Sequence, residues 1–559
     1  MKKRSLIAIL TALTLAAGTA GCGKADLEVP EMTESSSAEE SSGTMAEATS
    51  APEETDTSEG SGAADAISAV GGTGTLKVNT AVETTKVETS KGTIVGSVED
   101  GVYQYLGIPY ADASEKFTPA KEVEAWEGTF EATQYGPISY QASILGLPAD
   151  DGGFETSSNP DNLNIWTQGT DNAKRPVMVW LHGGGFSVGT ANYDSYSGLN
   201  LAKQGDVVMV GVNHRLNVYG HLNLSDYGDK YEYSENVGII DIIDSLKWIH
   251  ENIESFGGDP DNITLFGESG GGAKVLALMS SPYASGLFKR GIVESGATEG
   301  MGVNFEKDEI SRELGNLIVS KLGLTEASIE DIQKVSDDEL QRASTEAHAE
   351  LAEKYQIPAS LKNGYDMAWE PVVDGDFLPS NPVKEEGFAD AAKEYGLLIG
   401  SNLNEWSIYA TNLQYTNMTE EQKDLFRTAY PDKKDVKPET VDTLIRLPML
   451  KIMAHKADQN GAPVYAYVFT HEEDDRGSYH GAELPYVFNN NASDSELADK
   501  ISAAWIIYAR TGTPQVEGAD EWLPYTRTDE ATMILDDRSY LAHGHDTTLM
   551  KELEPEYIW

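Results

Sequence analysis

The pentapeptide Gly267-Glu268-Ser269-Gly270-Gly271 sets a serine among glycines. An apolar run, Ile263-Thr264-Leu265-Phe266, leads into it, and a helix-like run over 273–278 follows. A serine on so tight a strand-to-helix turn stands clear of its neighbours, and glycines there tolerate strained backbone and close approach. The turn also aims the Gly270 N–H at any carbonyl the serine attacks. Alone the pattern is weak, because a glycine-rich turn with an idle serine reads the same way. A second segment, His182-Gly183-Gly184-Gly185-Phe186, follows the apolar run Val177-Met178-Val179-Trp180-Leu181 and precedes the serine in the chain. Attack on a carbonyl leaves negative charge on its oxygen. Backbone N–H groups held in advance stabilise that charge, and losing one costs roughly 3–4 kcal/mol. The two segments together point to acyl transfer at a serine.

Such segments need a frame that brings them to one edge. The run at 177–181 and Val207-Val208-Met209-Val210-Gly211-Val212 read as strands buried on both faces; 263–266 and 397–399 are shorter examples. Between them, Ile239, Ile242, Ile243, Leu246, Trp248, Ile249 and Ile253 recur at helical spacing, and a further helix is expected over 497–509. Strands alternating with helices predict an α/β fold around a large, mostly parallel central sheet flanked by helices. The charged stretch 304–354 reads as a helical insertion packed beside the sheet. One catalytic domain over 76–559 accounts for these features.

Upstream the composition changes. Lys2, Lys3 and Arg4 precede an apolar stretch over 6–17 that is too short to span a bilayer as a mature helix. Thr19-Ala20-Gly21-Cys22 follows, and Cys22 is the only cysteine of the 559 residues, so no intramolecular disulfide forms. This layout resembles a bacterial lipoprotein signal over 1–22, with Cys22 as the lipidated first residue of the mature chain. Thr19 departs from the leucine usual there, and the alternative is an ordinary secretory signal cleaved nearby. Lipidation implies an extracytoplasmic enzyme anchored to a bacterial membrane. Residues 23–75 are rich in Ser, Thr, Glu, Ala and Gly, cannot bury enough surface to offset their ordering entropy, and read as a disordered acidic tether. The formal net charge is −50. That charge repels phosphate backbones and argues against a nucleic-acid partner.

The chain resembles the type-B carboxylesterase family, which includes the cholinesterases, over about 87–525. Besides the two glycine segments, the resemblance rests on Gly107-Ile108-Pro109-Tyr110-Ala111, Trp126-Glu127-Gly128 and Tyr135-Gly136-Pro137. Phe256-Gly257-Gly258-Asp259-Pro260, Gly286-Leu287-Phe288, Pro371-Val372-Val373-Asp374-Gly375, and Trp505 with Thr511-Gly512-Thr513-Pro514 add to it. It implies an α/β-hydrolase fold and a serine carboxylesterase acting on small-molecule esters without a cofactor or metal. It also assigns residues that nothing else would single out. Gly400-Ser401-Asn402-Leu403-Asn404-Glu405 is similar to the family's acid motif and makes Glu405 the acid; the loop beginning His480-Gly481-Ala482-Glu483 makes His480, one of 10 histidines, the base. The order Ser269, Glu405, His480 is the one this fold uses. The oxyanion donors carried over are the N–H groups of Gly184, Gly185 and Gly270.

Several positions depart from the family. Trp406 replaces the glycine usual after the acid, Ser139 and Pro160 stand where an early disulfide would be, and Lys116 and Ser158 replace an ion pair. The stretch 145–156 lacks the tryptophan that cholinesterases place there and offers only Phe154, which argues against a choline ester as substrate. His543-Gly544-His545 has no evident third ligand and reads as incidental. Two other readings compete: a non-catalytic adhesion protein of the neuroligin kind, and a lipase, for which no amphipathic lid is evident.

Overall fold

In the computed structural model the described residues are 85–141, 151–299, 304–357, 367–405, 417–433, 435–473 and 476–558. Cys22, the signal, the tether and Trp406 lie outside them. Residues Thr85–Trp559 cluster as one unit.

The centre is an 11-stranded sheet. In chain order its strands are β1 (Ser97–Glu99), β2 (Val102–Pro109), β3 (Asn162–Thr167), β4 (Arg175–Leu181), β5 (Val208–Val212) and β6 (Gly258–Glu268). They continue as β7 (Arg290–Glu294), β8 (Gly396–Asn402), β9 (Val464–Phe469), β10 (Ala531–Leu535) and β11 (Tyr540–His543). Across the sheet the order is β11-β10-β9-β8-β7-β6-β4-β5-β3-β2-β1. From β5 through β4 and β6 to β10 every pairing is parallel, while β3, β2, β1 and β11 add antiparallel edges. The parallel block is the sheet expected from the apolar runs, with 208–212, 263–266 and 397–399 inside β5, β6 and β8.

Every residue of β4 and of β5 is buried, as required of strands covered on both faces. Alternation divides them. Val177, Val179 and Leu181 join a core cluster with Ile242 and Ile249 of α1 (Val237–Asn252) and Val275 and Leu276 of α2 (Gly270–Ser280). Met178 and Trp180 point the other way. They meet Ile501, Trp505 and Tyr508, which lie on the helix Ser495–Thr511. That helix starts where the Asp494 carboxylate accepts from the Glu496 and Leu497 N–H groups, and ends at Gly512 in the left-handed region.

The stretch 304–354 is helical, as expected, but its apolar side does not rest on the sheet. Helices α3 (Asp308–Lys321) and α4 (Asp337–Tyr355) contribute Leu314, Ile318, Leu340 and Leu351 to a third cluster with Phe117, Tyr219, Leu222 and Leu224. Among the described residues no helix is long and apolar enough to cross a membrane.

Candidate active site

Strand β6 ends at Glu268 and α2 begins at Gly270, leaving Ser269 alone on the turn with φ 55° and ψ −122°. No regular element uses that conformation, and a non-glycine residue held there is strained. The surroundings hold it: the Ser269 N–H donates to the Glu294 carbonyl at 2.8 Å, and the Ser269 carbonyl accepts from Ala273 N–H at 3.1 Å. Ser269 is the only residue from Ile263 to Ser280 that is not buried. The flanking glycines are sterically required. A Cβ on Gly267 would lie 2.6 Å from the Leu181 carbonyl oxygen, and one on Gly271 1.9 Å from the same atom.

Leu181 closes β4, so the glycine segment begins against the serine turn. Gly184 and Gly185 have φ of 89° and 60°. A Cβ on Gly270 would lie 2.5 Å from Gly185 Cα, so the expected sources of N–H groups are in backbone contact.

The structure also brings Glu405 and His480 together. The Glu405 carboxylate is fully buried; Oε1 accepts from the Asn402 N–H at 2.7 Å and Oε2 lies 2.6 Å from His480 Nδ1. The His480 N–H donates to the Glu405 carbonyl at 2.6 Å. This double tie leaves Nε2 facing the serine turn. There it lies 3.2 Å from Oε1 of Glu268, an ion contact without hydrogen-bond alignment. Sequence reasoning passed over Glu268, although it stands inside the pentapeptide. An acid next to a candidate nucleophile was the available signal.

Further carboxyls lie behind the histidine. Glu483 accepts from Asn402 Nδ2 and from Ser295 Oγ, and Glu294 accepts from Trp505 Nε1 at 2.6 Å. Burial pushes Glu268 up to about 7, with His480 opposing and Glu405 adding. Burial, Glu268 and Glu405 push Glu483 up to about 8. For His480 burial disfavours the cation, but the pull of Glu268 and Glu405 outweighs it and the imidazole titrates above its ordinary range. One imidazolium among several buried carboxyls cannot ionise them all, so these groups titrate as a set.

The departures also have places. Lys116 Nζ lies 3.5 Å from Asp337 at the start of α4. Phe154 packs edge-on to Tyr135 with centroids 5.9 Å apart, and obliquely against Tyr193 at 6.3 Å. His543 meets Asp529 at 2.9 Å, whereas His545 is turned against the Tyr430 ring. Another trio, His471, Asp536 and Asp537, holds its potential ligand atoms within 4.8 Å of one another. Lys433 Nζ already neutralises Asp536 there, at 2.6 Å.

The carboxylesterase family pattern matches residues 83–442 and 431–551. The chain belongs to the carboxylesterase family. A para-nitrobenzyl esterase of Bacillus subtilis is 31% identical over 84% of this chain and 98% of its own. The solved structure of an esterase from Clostridium hathewayi, described as able to hydrolyse aliphatic aromatic polyesters, superposes with a TM-score of 0.75 at 33% identity, covering 84% of this chain and 98% of that one. Mouse neuroligin-2 is 29% identical, over 74% of this chain and 58% of its own. This carboxylesterase is thus a carboxylic ester hydrolase with the α/β-hydrolase fold.

Proposed function

We propose that the enzyme cleaves esters through an acyl-enzyme formed on Ser269, with His480 as base, Glu405 orienting it, and the N–H groups of Gly184, Gly185 and Gly270 receiving the oxyanion. The observation that carries this reading is the 2.6 Å contact from Glu405 to His480 Nδ1, which leaves Nε2 facing the turn of the strained Ser269. His480 takes the Ser269 proton as Oγ attacks the ester carbonyl, and the glycine N–H groups stabilise the tetrahedral oxyanion. As the carbonyl re-forms, the C–O bond to the alcohol breaks and His480 returns the proton to the leaving oxygen. Water, deprotonated by His480, then cleaves the acyl-enzyme to acid and free Ser269.

A binding protein of the neuroligin kind has no use for a strained serine, and its presence favours catalysis. Ser269→Ala lowers kcat by about 10⁴–10⁶-fold with the fold intact, and an organophosphate labels Ser269 stoichiometrically. Activity within tenfold of the parent, or a chain that stays unlabelled, overturns the assignment. The N-terminal segment supports a second element of the reading, a lipid on Cys22 that holds the enzyme at an extracytoplasmic membrane face through the tether at 23–75.

A further inference from the structure

Lys274 is fully buried on α2, five positions after Ser269. Its position on the helix explains where the side chain goes. Gly271, one turn earlier on the same face, lies against the end of β4, where an added Cβ would meet the Leu181 oxygen at 1.9 Å and the His182 carbonyl carbon at 3.1 Å. Long helical side chains lean back over the preceding turn. Lys274 therefore reaches the same place, and its Nζ donates to the His182 carbonyl at 2.9 Å with the Phe186 ring 5.8 Å away. His182 lies past the last register pair of β4, so its buried carbonyl needs a partner from outside the sheet. Lys274 supplies it.

Among the described residues no carboxylate acts on the ammonium. From the end of β4 it faces His182, from the segment after β5 it faces His214, stacked on His182 at 5.3 Å, and His221 lies beyond. Burial, with Lys274 adding to it, keeps His182 and His214 well below the ordinary imidazole range, and burial pushes His221 down to about 3. All three are neutral at physiological pH. Arg215, the neighbouring cation, is matched by Asp241 across a fully buried ion pair. A lone buried ammonium is costly, and burial alone pushes Lys274 down to about 7. Near neutral pH only part of the molecules therefore carry the charge, and a developing oxyanion favours that protonated form. A purely structural need for a donor is met at lower cost by an amide or a hydroxyl.

We propose that Lys274 is a positioning residue for ester cleavage, holding the His182 carbonyl, and through it Gly184 and Gly185, while placing an unmatched positive charge behind the nascent oxyanion. Gly184 is two residues beyond His182, at most about 7.6 Å between Cα atoms, and the buried ammonium on the His182 carbonyl acts through an interior that screens charge poorly. The inference rests on the acyl-enzyme reading of Ser269 and goes beyond it.

The test compares the full-length enzyme with Lys274→Met, which keeps the length and removes donor and charge. Expected is a kcat at least about tenfold lower on a p-nitrophenyl ester with KM within twofold. The affinity for an aryl trifluoromethyl ketone, which forms an oxyanion on the serine, falls in the same proportion, while the non-fluorinated ketone binds unchanged. A kcat and a trifluoromethyl-ketone affinity within twofold of the parent overturn the proposal, whatever the melting temperature does. Should Lys274→Met not fold, the unsubstituted enzyme decides. A depressed lysine loses its charge as pH rises, so kcat at saturating ester falls on the alkaline side; a kcat still level at pH 10 overturns the inference. A fully active Ser269→Ala would instead strike the nucleophile assignment itself.

Discussion

Two carboxylates grip one imidazole: Glu405 Oε2 lies 2.6 Å from Nδ1 of His480 and Glu268 Oε1 lies 3.2 Å from its Nε2. Both stabilise the imidazolium, so the folded pKa is raised, and the neutral base is recovered only as pH climbs through that raised value. The acid limb of kcat/KM therefore sits above the ordinary histidine value of about 6.5. Glu268→Gln removes one of the two charges and moves the limb to lower pH by about one unit or more. A pH–rate profile settles it; an unmoved limb means that Glu268 is protonated throughout the working range.

The turn glycines of the chain differ in what they exclude. An added methyl at Gly271 would collide with the Leu181 carbonyl at 1.9 Å, whereas at Gly101, also a turn glycine, nothing lies within 4 Å. Gly271→Ala must push α2 away from β4, and the expected destabilisation is about 3 kcal/mol or more with loss of activity. Gly101→Ala carries only the strain of its φ of 80°, about 1–2 kcal/mol, and stays active. Thermal denaturation together with an ester assay separates the two outcomes.

A quaternary ammonium needs desolvated aromatic faces, with tryptophan the strongest. Among the described residues of 145–156 the aromatic is Phe154, already engaged with Tyr135 and Tyr193. The missing tryptophan contact costs about 2 kcal/mol, close to thirtyfold in affinity. Attraction of cations by the −50 charge is screened within about 8 Å at physiological salt. At that ionic strength kcat/KM for 3,3-dimethylbutyl butyrate should match or exceed that for butyrylcholine. A clear preference for the cation would reveal a cage assembled from other rings, such as Tyr193.

Cys22→Ala is expected to move the enzyme from the membrane to the soluble fraction with unchanged specific activity. One acyl chain binds a bilayer marginally and two or more hold it firmly. Unchanged partitioning by fractionation would exclude the lipid.

The parallel strands were legible because burial on both faces forces uninterrupted apolar runs such as those of β4 and β5, and the serine turn because close backbone approach demands glycine. Glu405 and His480 were legible only through family resemblance, since one acid among 91 Asp and Glu residues carries no local mark of its role. Glu268 and Lys274 escaped notice because their significance lies in what faces them across the fold. The seat of the insertion escaped for a similar reason: its partners, Phe117 and Tyr219, are distant in sequence from α3 and α4.

That insertion enters after β7 and returns before β8, and its apolar side rests on Phe117, Tyr219, Leu222 and Leu224 and not on the central strands. Natural variation and laboratory recombination can therefore act on it as an exchangeable cassette. Helices α3 and α4 can be swapped between homologues in the stretch between β7 and β8 provided the seat formed by Phe117, Tyr219, Leu222 and Leu224 is kept, leaving the central strands and the loops that carry Ser269, Glu405 and His480 untouched.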